Sequence, residues 1–226
     1  MVFETQIIAH NEIAKGTHEL TLKRPSDFVF QAGQYLQIAL AELTVADPKG
    51  ASRLFSVASS PYDLHKIKVV FRSSGSGFKD TLIHMPVGSS VQIEQAAGRF
   101  LLPQTLTRPH VFVAGGVGIA PFMSYLYQKI EDEWDYPIAL LYGNQNPESA
   151  AYLKELKLMS SQHRQFALNE IYERPTPELF VTLASTYQDA VWWVVGPPGM
   201  VATTVNGLHL GGIEADRILT ESFDGY

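Results

Sequence analysis

The stretch His110-Val111-Phe112-Val113-Ala114-Gly115-Gly116-Val117-Gly118-Ile119-Ala120-Pro121-Phe122 carries the plainest chemical signal in the chain. An apolar run rich in β-branched and aromatic residues meets three glycines, and Pro121 then opens the helical spacing Phe122, Leu126, Ile130. That pattern reads as a buried strand, a tight turn and a helix with proline in its first turn. Free backbone N–H groups and the helix dipole at such a turn attract an anion, and the ligand class this suggests is a diphosphate. The same glycines would also serve a bare chain reversal, so the remaining residues have to decide.

Three other stretches carry candidate chemistry. Arg53-Leu54-Phe55-Ser56 sets a fork-shaped cation, an aromatic ring and a hydroxyl together, and on a strand Arg53 and Phe55 share a face. An arginine can grip a phosphate through two hydrogen bonds while an aromatic stacks on a planar ring; the plainer alternative is a core Phe55 beside a solvated Arg53. Ser73-Ser74-Gly75-Ser76-Gly77-Phe78-Lys79 offers hydroxyls and backbone N–H groups leading into a helix, either a second anion cradle or a loop. Gly196-Pro197-Pro198-Gly199-Met200 follows the buried run Val191–Val195 and would let backbone approach a flat ligand, although a rigid loop explains it equally well.

Two kinds of element must position these residues. Strand-type segments recur through the first hundred residues: Phe3–Ala14 and His18–Lys23 around a Lys15-Gly16-Thr17 turn, then Gln34–Ala41, Arg53–Ser59, Lys66–Arg72 and Ser90–Gln95. Gly77–Met85 is the exception, with Phe78, Leu82 and Met85 on one helical face. The expectation is an antiparallel β-barrel with one helix over residues 1–103. After a connector with prolines at 103 and 109, strands alternate with helices. Val111–Ala114 precedes Pro121–Glu133, Ile138–Tyr142 precedes Glu148–Ser160, and Phe166–Ile171 precedes Pro177–Thr186. Val191–Val195 precedes Met200–Leu208, and Ile218–Phe223 closes the series. Residues 108–226 are therefore expected to form a doubly wound, mostly parallel five-stranded α/β sheet, with ligands outside the carboxyl ends of its strands.

Composition narrows the function. The 226 residues carry a net charge of −6, divided as +1 over residues 1–106 and −7 over residues 107–226, and offer no basic face for nucleic acid. There is no cysteine, which removes disulfides, thiolate nucleophiles and cysteine-ligated zinc or iron–sulfur clusters from these residues. The seven histidines form no HxxxH or HxH spacing, so no metal is expected. No apolar run approaches ~20 residues, so no membrane helix is expected. The first residues also lack a signal-peptide pattern, so a cytoplasmic chain is the expectation.

In their order, these motifs resemble the ferredoxin–NADP reductase-like flavoprotein reductases, which join an FAD-binding β-barrel to a nicotinamide-nucleotide-binding α/β domain. The resemblance covers essentially the whole chain. Gln31-Ala32-Gly33-Gln34-Tyr35 is similar to the family's Pro-Gly-Gln-Tyr strand start, and Arg53-Leu54-Phe55-Ser56 to its Arg-x-Tyr-Ser flavin motif. Gly75–Thr81 looks like the flavin-pyrophosphate loop and Gly115–Pro121 like the Gly-Gly-x-Gly-Ile-Ala-Pro nucleotide motif. Gly196–Met200 looks like Gly-Pro-Pro-x-Met, and Glu221-Ser222-Phe223 like the terminal Glu-x-aromatic.

The resemblance implies a role for each matching residue. Arg53 would hold the flavin phosphate, with Leu54 and Phe71 beside the flavin and Phe55 packed on its ring. Ser56 would sit near the flavin nitrogen that receives hydride. Backbone N–H groups from Gly77, Phe78 and Lys79 would bind pyrophosphate. Gly115, Gly116, Val117 and Gly118 would let the nucleotide's pyrophosphate approach the helix at Pro121, with Gly143 and Asn144 contributing from the next strand. Gly196, Pro197 and Met200 would flank the nicotinamide. Glu221 and Phe223 would cover the flavin, with Tyr226 a second candidate ring. Ser56, Glu221 and Phe223 are the implied catalytic residues.

Two departures stand out. Phe55 lacks the tyrosine hydroxyl, a hydrogen bond worth ~0.5–1.5 kcal/mol, and Val195 stands where many relatives carry cysteine. The implied reaction is hydride transfer from NADH or NADPH to FAD, with FMN the lesser alternative, then onward to a separate acceptor such as ferredoxin, flavodoxin or an oxygenase component. A stand-alone form without an iron–sulfur module is implied. NADH is favoured because Gly143–Tyr152 holds no Arg or Lys and Glu148 would repel a 2′-phosphate. The competing readings are a reductase using free flavin as substrate and a non-catalytic flavin-binding regulatory subunit.

Overall fold

A computed structural model describes residues 1–102, 106–131 and 137–223. The chain divides into two compact units, one of Met1–Leu102 with Ala120–Asp132 and the other of Pro103–Ile119 with Glu133–Tyr226.

The first unit is built on six antiparallel strands: β1 (Val2–Ala14), β2 (Thr17–Lys23), β3 (Tyr35–Ala39), β4 (Ser52–Ser56), β5 (Lys66–Arg72) and β6 (Ser90–Glu94). Their order is β4-β3-β6-β1-β2-β5. An antiparallel bridge from Val57 to Val69, together with the Ala58 N–H donating to the Lys68 carbonyl at 2.8 Å, joins the two ends. The sheet thereby closes on itself and leaves no long unpaired edge. Period-two alternation is clear in β3, where Leu36 and Ile38 are buried while Tyr35, Gln37 and Ala39 are half-buried, and in β6. Helix α1 (Gly77–His84) plugs the barrel, delivering Phe78 and Leu82 to a core that also holds Ile7, Leu20, Phe55 and Phe71.

Helix α2 (Ala120–Glu131) groups with this unit. The Ser124 hydroxyl donates to the Ser59 carbonyl at 2.6 Å, the Ser60 hydroxyl donates to Glu131 at 2.9 Å, and Phe122 meets Phe100 edge-on.

The second unit carries five strands, β7 (His110–Gly115), β8 (Ile138–Gly143), β9 (Phe166–Ile171), β10 (Val191–Gly196) and β11 (Ile218–Ser222), in the order β11-β10-β7-β8-β9. Every pairing is parallel, so all five carboxyl ends share one edge. Three helices, α3 (Leu153–Gln162), α4 (Pro177–Thr186) and α5 (Pro198–Leu210), fill the crossovers within it. The expected two-part architecture, antiparallel then parallel, is the observed one.

Two helix starts differ from the sequence reading. The helix expected from Glu148 begins at Leu153, because Pro147–Ser149 forms a separate 3-10 turn and Tyr152 takes a left-handed φ of 59°. That conformation is costly for a residue with a side chain; burial of the Tyr152 ring, 8% exposed, accompanies it. In the other case α5 starts at Pro198 rather than Met200, since proline fits the first helical position, where no N–H partner is needed.

Candidate functional site

At the carboxyl edge of the parallel sheet, the end of β7 runs through a 3-10 turn, Gly116–Ile119, directly into α2. The glycines of this turn do two different jobs. A Cβ on Gly118 would lie 2.4 Å from the Val195 carbonyl oxygen, and one on Gly115 would lie 2.5 Å from the Met200 sulfur and 3.0 Å from Pro197. On the facing loop, a Cβ on Gly196 would meet Met200 at 2.7 Å and the Gly115 backbone at 3.2 Å. These three glycines allow the β7 and β10 loops to lie backbone against backbone. Gly116 differs: its φ of +55° calls for glycine, and nothing lies within 4 Å of its Cβ position. The Tyr142 hydroxyl donates to the Gly116 and Ala151 carbonyls, both at 3.2 Å, and so ties the turn to the next strand.

Two half-buried side chains at this edge carry buried polar atoms without a hydrogen-bond partner among the described residues. Both amide atoms of Asn144, just past β8, are orphaned, and so is Glu221 Oε2 on β11. Burial pushes the Glu221 carboxyl above its ordinary range. Orphaned buried polar atoms are rare in folded proteins and fit a polar ligand at this edge. The Phe223 N–H donates to the Gly196 carbonyl at 3.1 Å, which anchors the end of β11 to the same loop. Pro197 and Met200, expected beside a nicotinamide, pack on the Gly115 backbone. Val117 is half-buried and Pro121 lies buried in the first turn of α2. Gly143 closes β8, with only ordinary contact to the Ala114 carbonyl. Tyr226 lies outside the described residues.

In the barrel the arrangement departs from the sequence reading. Phe55, expected to stack on a flavin ring, is 3% exposed and packed between Phe71 and Phe78, with centroids at 5.7 and 6.1 Å. Phe71, at 1% exposure, is core as well. Pleating explains this: Phe55 faces the barrel interior and Leu54, 44% exposed, faces out. Ser56 is buried at the end of β4, opposite Tyr35.

Arg53 does share the inner face, its guanidinium 5.2 Å from the Phe78 ring centroid, but it grips the chain itself. It donates to the carbonyls of Lys49 and Gly50, each at 3.0 Å, and of Ser52 at 2.6 Å, and pairs with Asp47 at 2.5 Å. The helix N-terminus expected to hold pyrophosphate is likewise engaged: the Phe78 N–H donates to Asp47 Oδ2 at 3.0 Å and the Lys79 N–H to the Ser76 hydroxyl at 3.3 Å. Lys79 is itself buried, and burial, reinforced by the charges of Arg53 and Lys49, lowers its ammonium to about 8. Two of the donors assigned to flavin phosphates, Arg53 and the Phe78 N–H, thus already hold a carboxylate.

Comparison with known proteins agrees with this layout. Residues 112–206 match the family described as Oxidoreductase NAD-binding domain. A flavohemoprotein of Xylella fastidiosa is 29% identical over 205 residues, covering 85% of this chain and 51% of that protein. The reductase component of propane 2-monooxygenase from Mycolicibacterium goodii is 25% identical, covering 97% of this chain and 67% of that protein. A solved ferredoxin–NADP+ reductase from Plasmodium falciparum superposes with a TM-score of 0.82 at 16% identity, over 98% of this chain and 96% of its own.

The chain has the fold of the ferredoxin–NADP+ reductases, and its residues 112–206 match an oxidoreductase NAD-binding domain. It spans about half the length of the flavohemoprotein it matches. Within this family fold, sequence reasoning missed Asp47 and Tyr142. The Asp-Pro-Lys-Gly turn at 47–50 was a usable signal for a fixed Asp47 side chain, because Asp before Pro favours such turns. Nothing local marked Tyr142, since its partners are set by the sheet.

Two expectations follow. Gly118→Ala must push the β7 and β10 loops apart, costing about 1–3 kcal/mol and lowering Tm by several degrees in thermal unfolding; Gly199→Ala, in α5 with nothing within 4 Å, is the control that does not lower Tm. Glu221 has a raised carboxyl, so the stability it allows is intact at acid pH and declines as pH rises through its folded value. Glu221→Gln therefore raises Tm at pH 8 relative to the wild type and loses that advantage at pH 4.

Proposed function

We propose that this chain is an NAD(P)H-dependent flavin reductase, passing reducing equivalents from a nicotinamide nucleotide through a flavin to a separate acceptor. The observation that carries the reading is the open glycine turn at the carboxyl edge of an all-parallel sheet, within the stretch that matches an oxidoreductase NAD-binding family. A bound flavin supplies what no side chain can, accepting a hydride and releasing electrons one at a time.

The chain's own residues do the binding and orienting. Gly116 leaves the turn clear for the nucleotide's diphosphate. Asn144 offers a buried amide to the nucleotide, and Glu221 a carboxyl held toward its protonated form at the nicotinamide end, with Phe223 beside it. Tyr142 holds the turn in place. In the barrel, Ser56 and the outward-facing Leu54 belong to the flavin. NADH is the favoured donor: Gly143–Tyr152 has no cation to meet a 2′-phosphate, and Glu148 is exposed there.

For the acceptor, the Mycolicibacterium protein is named as the reductase component of a monooxygenase, and an oxygenase component or other small redox protein is the partner class we favour. A second reading, with free flavin as substrate, gains from one observation: Asp47 occupies the donors a tightly held flavin phosphate would need.

The test is an anaerobic titration of the purified protein, with FMN or FAD supplied, followed in the visible flavin band. NADH should bleach the band in a protein-dependent way, with a higher kcat/KM than NADPH. A band that neither nucleotide bleaches would overturn the reductase reading. A colourless preparation that turns over only with added flavin would select the free-flavin form.

A further inference from the structure

We propose that Asp47 is an internal stand-in for a flavin phosphate, so that the barrel selects flavins by ring and ribityl chain rather than by their phosphate tail. The inference rests on the flavin reading above and concerns which flavins that site takes. Its basis is a single carboxylate at the meeting point of two donor sets. One Asp47 oxygen pairs with Arg53 at 2.5 Å and accepts the Lys49 N–H at 2.9 Å. The other accepts the Phe78 N–H at 3.0 Å, at the N-terminus of α1. A guanidinium beside free helix N–H groups is the donor set that recognises a phosphate oxygen.

The occupancy is built in at three levels. Asp47 is shut away from solvent, its side chain 2% exposed. Its carboxyl is held below the ordinary range by the Phe78 and Lys49 N–H groups and by Arg53, so it is charged at neutral pH. The segment before it also covers the helix start: a Cβ on Gly77 would lie 2.2 Å from the Val45 carbonyl oxygen and 2.7 Å from that of Ala46. The Thr44 N–H donates to the Thr81 hydroxyl at 3.0 Å, pinning that segment to α1. The turn is self-supporting as well, since the Gly50 N–H donates to the Asp47 carbonyl at 2.9 Å and three carbonyls of the loop bind Arg53.

A phosphate arriving here meets Arg53, Lys79 and Lys49 and is attracted. To bind, it must return Asp47 to water and break two hydrogen bonds and an ion pair, so it gains only the difference between two anions. Riboflavin, which has no phosphate, forgoes little by comparison.

The experiment titrates wild type, Asp47→Ala and Asp47→Asn with riboflavin, FMN and FAD, reading Kd from quenching of flavin fluorescence, with circular dichroism reporting the fold. In wild type the three Kd values should agree within about fivefold. Asp47→Ala should tighten FMN and FAD by roughly tenfold or more, the size of one or more hydrogen bonds to a charged group, and leave riboflavin unchanged. Asp47→Asn keeps the acceptor for the Lys49 N–H and should tighten the same two flavins by less; it carries the test if the alanine variant does not fold. A wild type that prefers FMN or FAD over riboflavin by more than tenfold would overturn the proposal, as would variants whose affinities for phosphorylated flavins stay at the wild-type value. If no protein binds any of the three, the flavin reading itself falls, and this inference with it.

Discussion

Where β7 and β10 end, two loops approach backbone to backbone, with only the Pro197 and Met200 side chains packed beside them, and the local geometry of this edge follows from that contact. Backbone against backbone is possible only because Gly115, Gly118 and Gly196 present no Cβ; at the tightest point one would sit 2.4 Å from a carbonyl oxygen. Closing this seam lets Met200 pack on Gly115, lets the Phe223 N–H reach Gly196, and frees Gly116 to turn with a positive φ into empty space. The close approach and the open turn depend on each other. A side chain at the seam would move the turn, and with it the start of α2.

The barrel unit is organised by charge in a comparable way. Arg53, Lys79 and Lys49 converge on the start of α1, whose dipole adds to the positive potential. Burying cations together is costly unless an anion joins them. Asp47 supplies that anion from the chain itself, while burial first, and then the charges of Arg53 and Lys49, lower the Lys79 ammonium. Phe55 follows the same inward face as Arg53, so the ring that the family resemblance assigns to flavin instead fills the core. The family motif is present as letters, while its side chains serve barrel packing and loop closure.

What could be read beforehand was what depends on periodicity and local turn chemistry. Lys66–Arg72 reads as a strand between turn signals and is a strand with those bounds; Phe78 and Leu82 share a helical face and do plug a core. The doubly wound half declared itself because apolar runs of five or six residues alternate with helical spacing. Long-range partners were not legible. Asp47 meets Phe78 across 31 positions of chain, a pairing that barrel closure sets and no local pattern encodes. Tyr142 reaches Gly116 across 26 positions for the same reason. The late start of α3 came from Tyr152, whose buried ring accompanies a backbone angle that propensity alone argues against. At the glycine turn, residue types predicted openness at all three positions, but geometry reserves it for Gly116, because the other two serve the seam.

The proposed function is hydride transfer from a nicotinamide nucleotide to a flavin on this chain. The most direct measurement is single-turnover bleaching of flavin by NADH carrying deuterium on one or the other face of its C4 carbon. The account predicts protein-dependent bleaching that is slowed by deuterium on one face and unaffected by deuterium on the other. Equal rates with both labels, or bleaching no faster than in the absence of the protein, would contradict it.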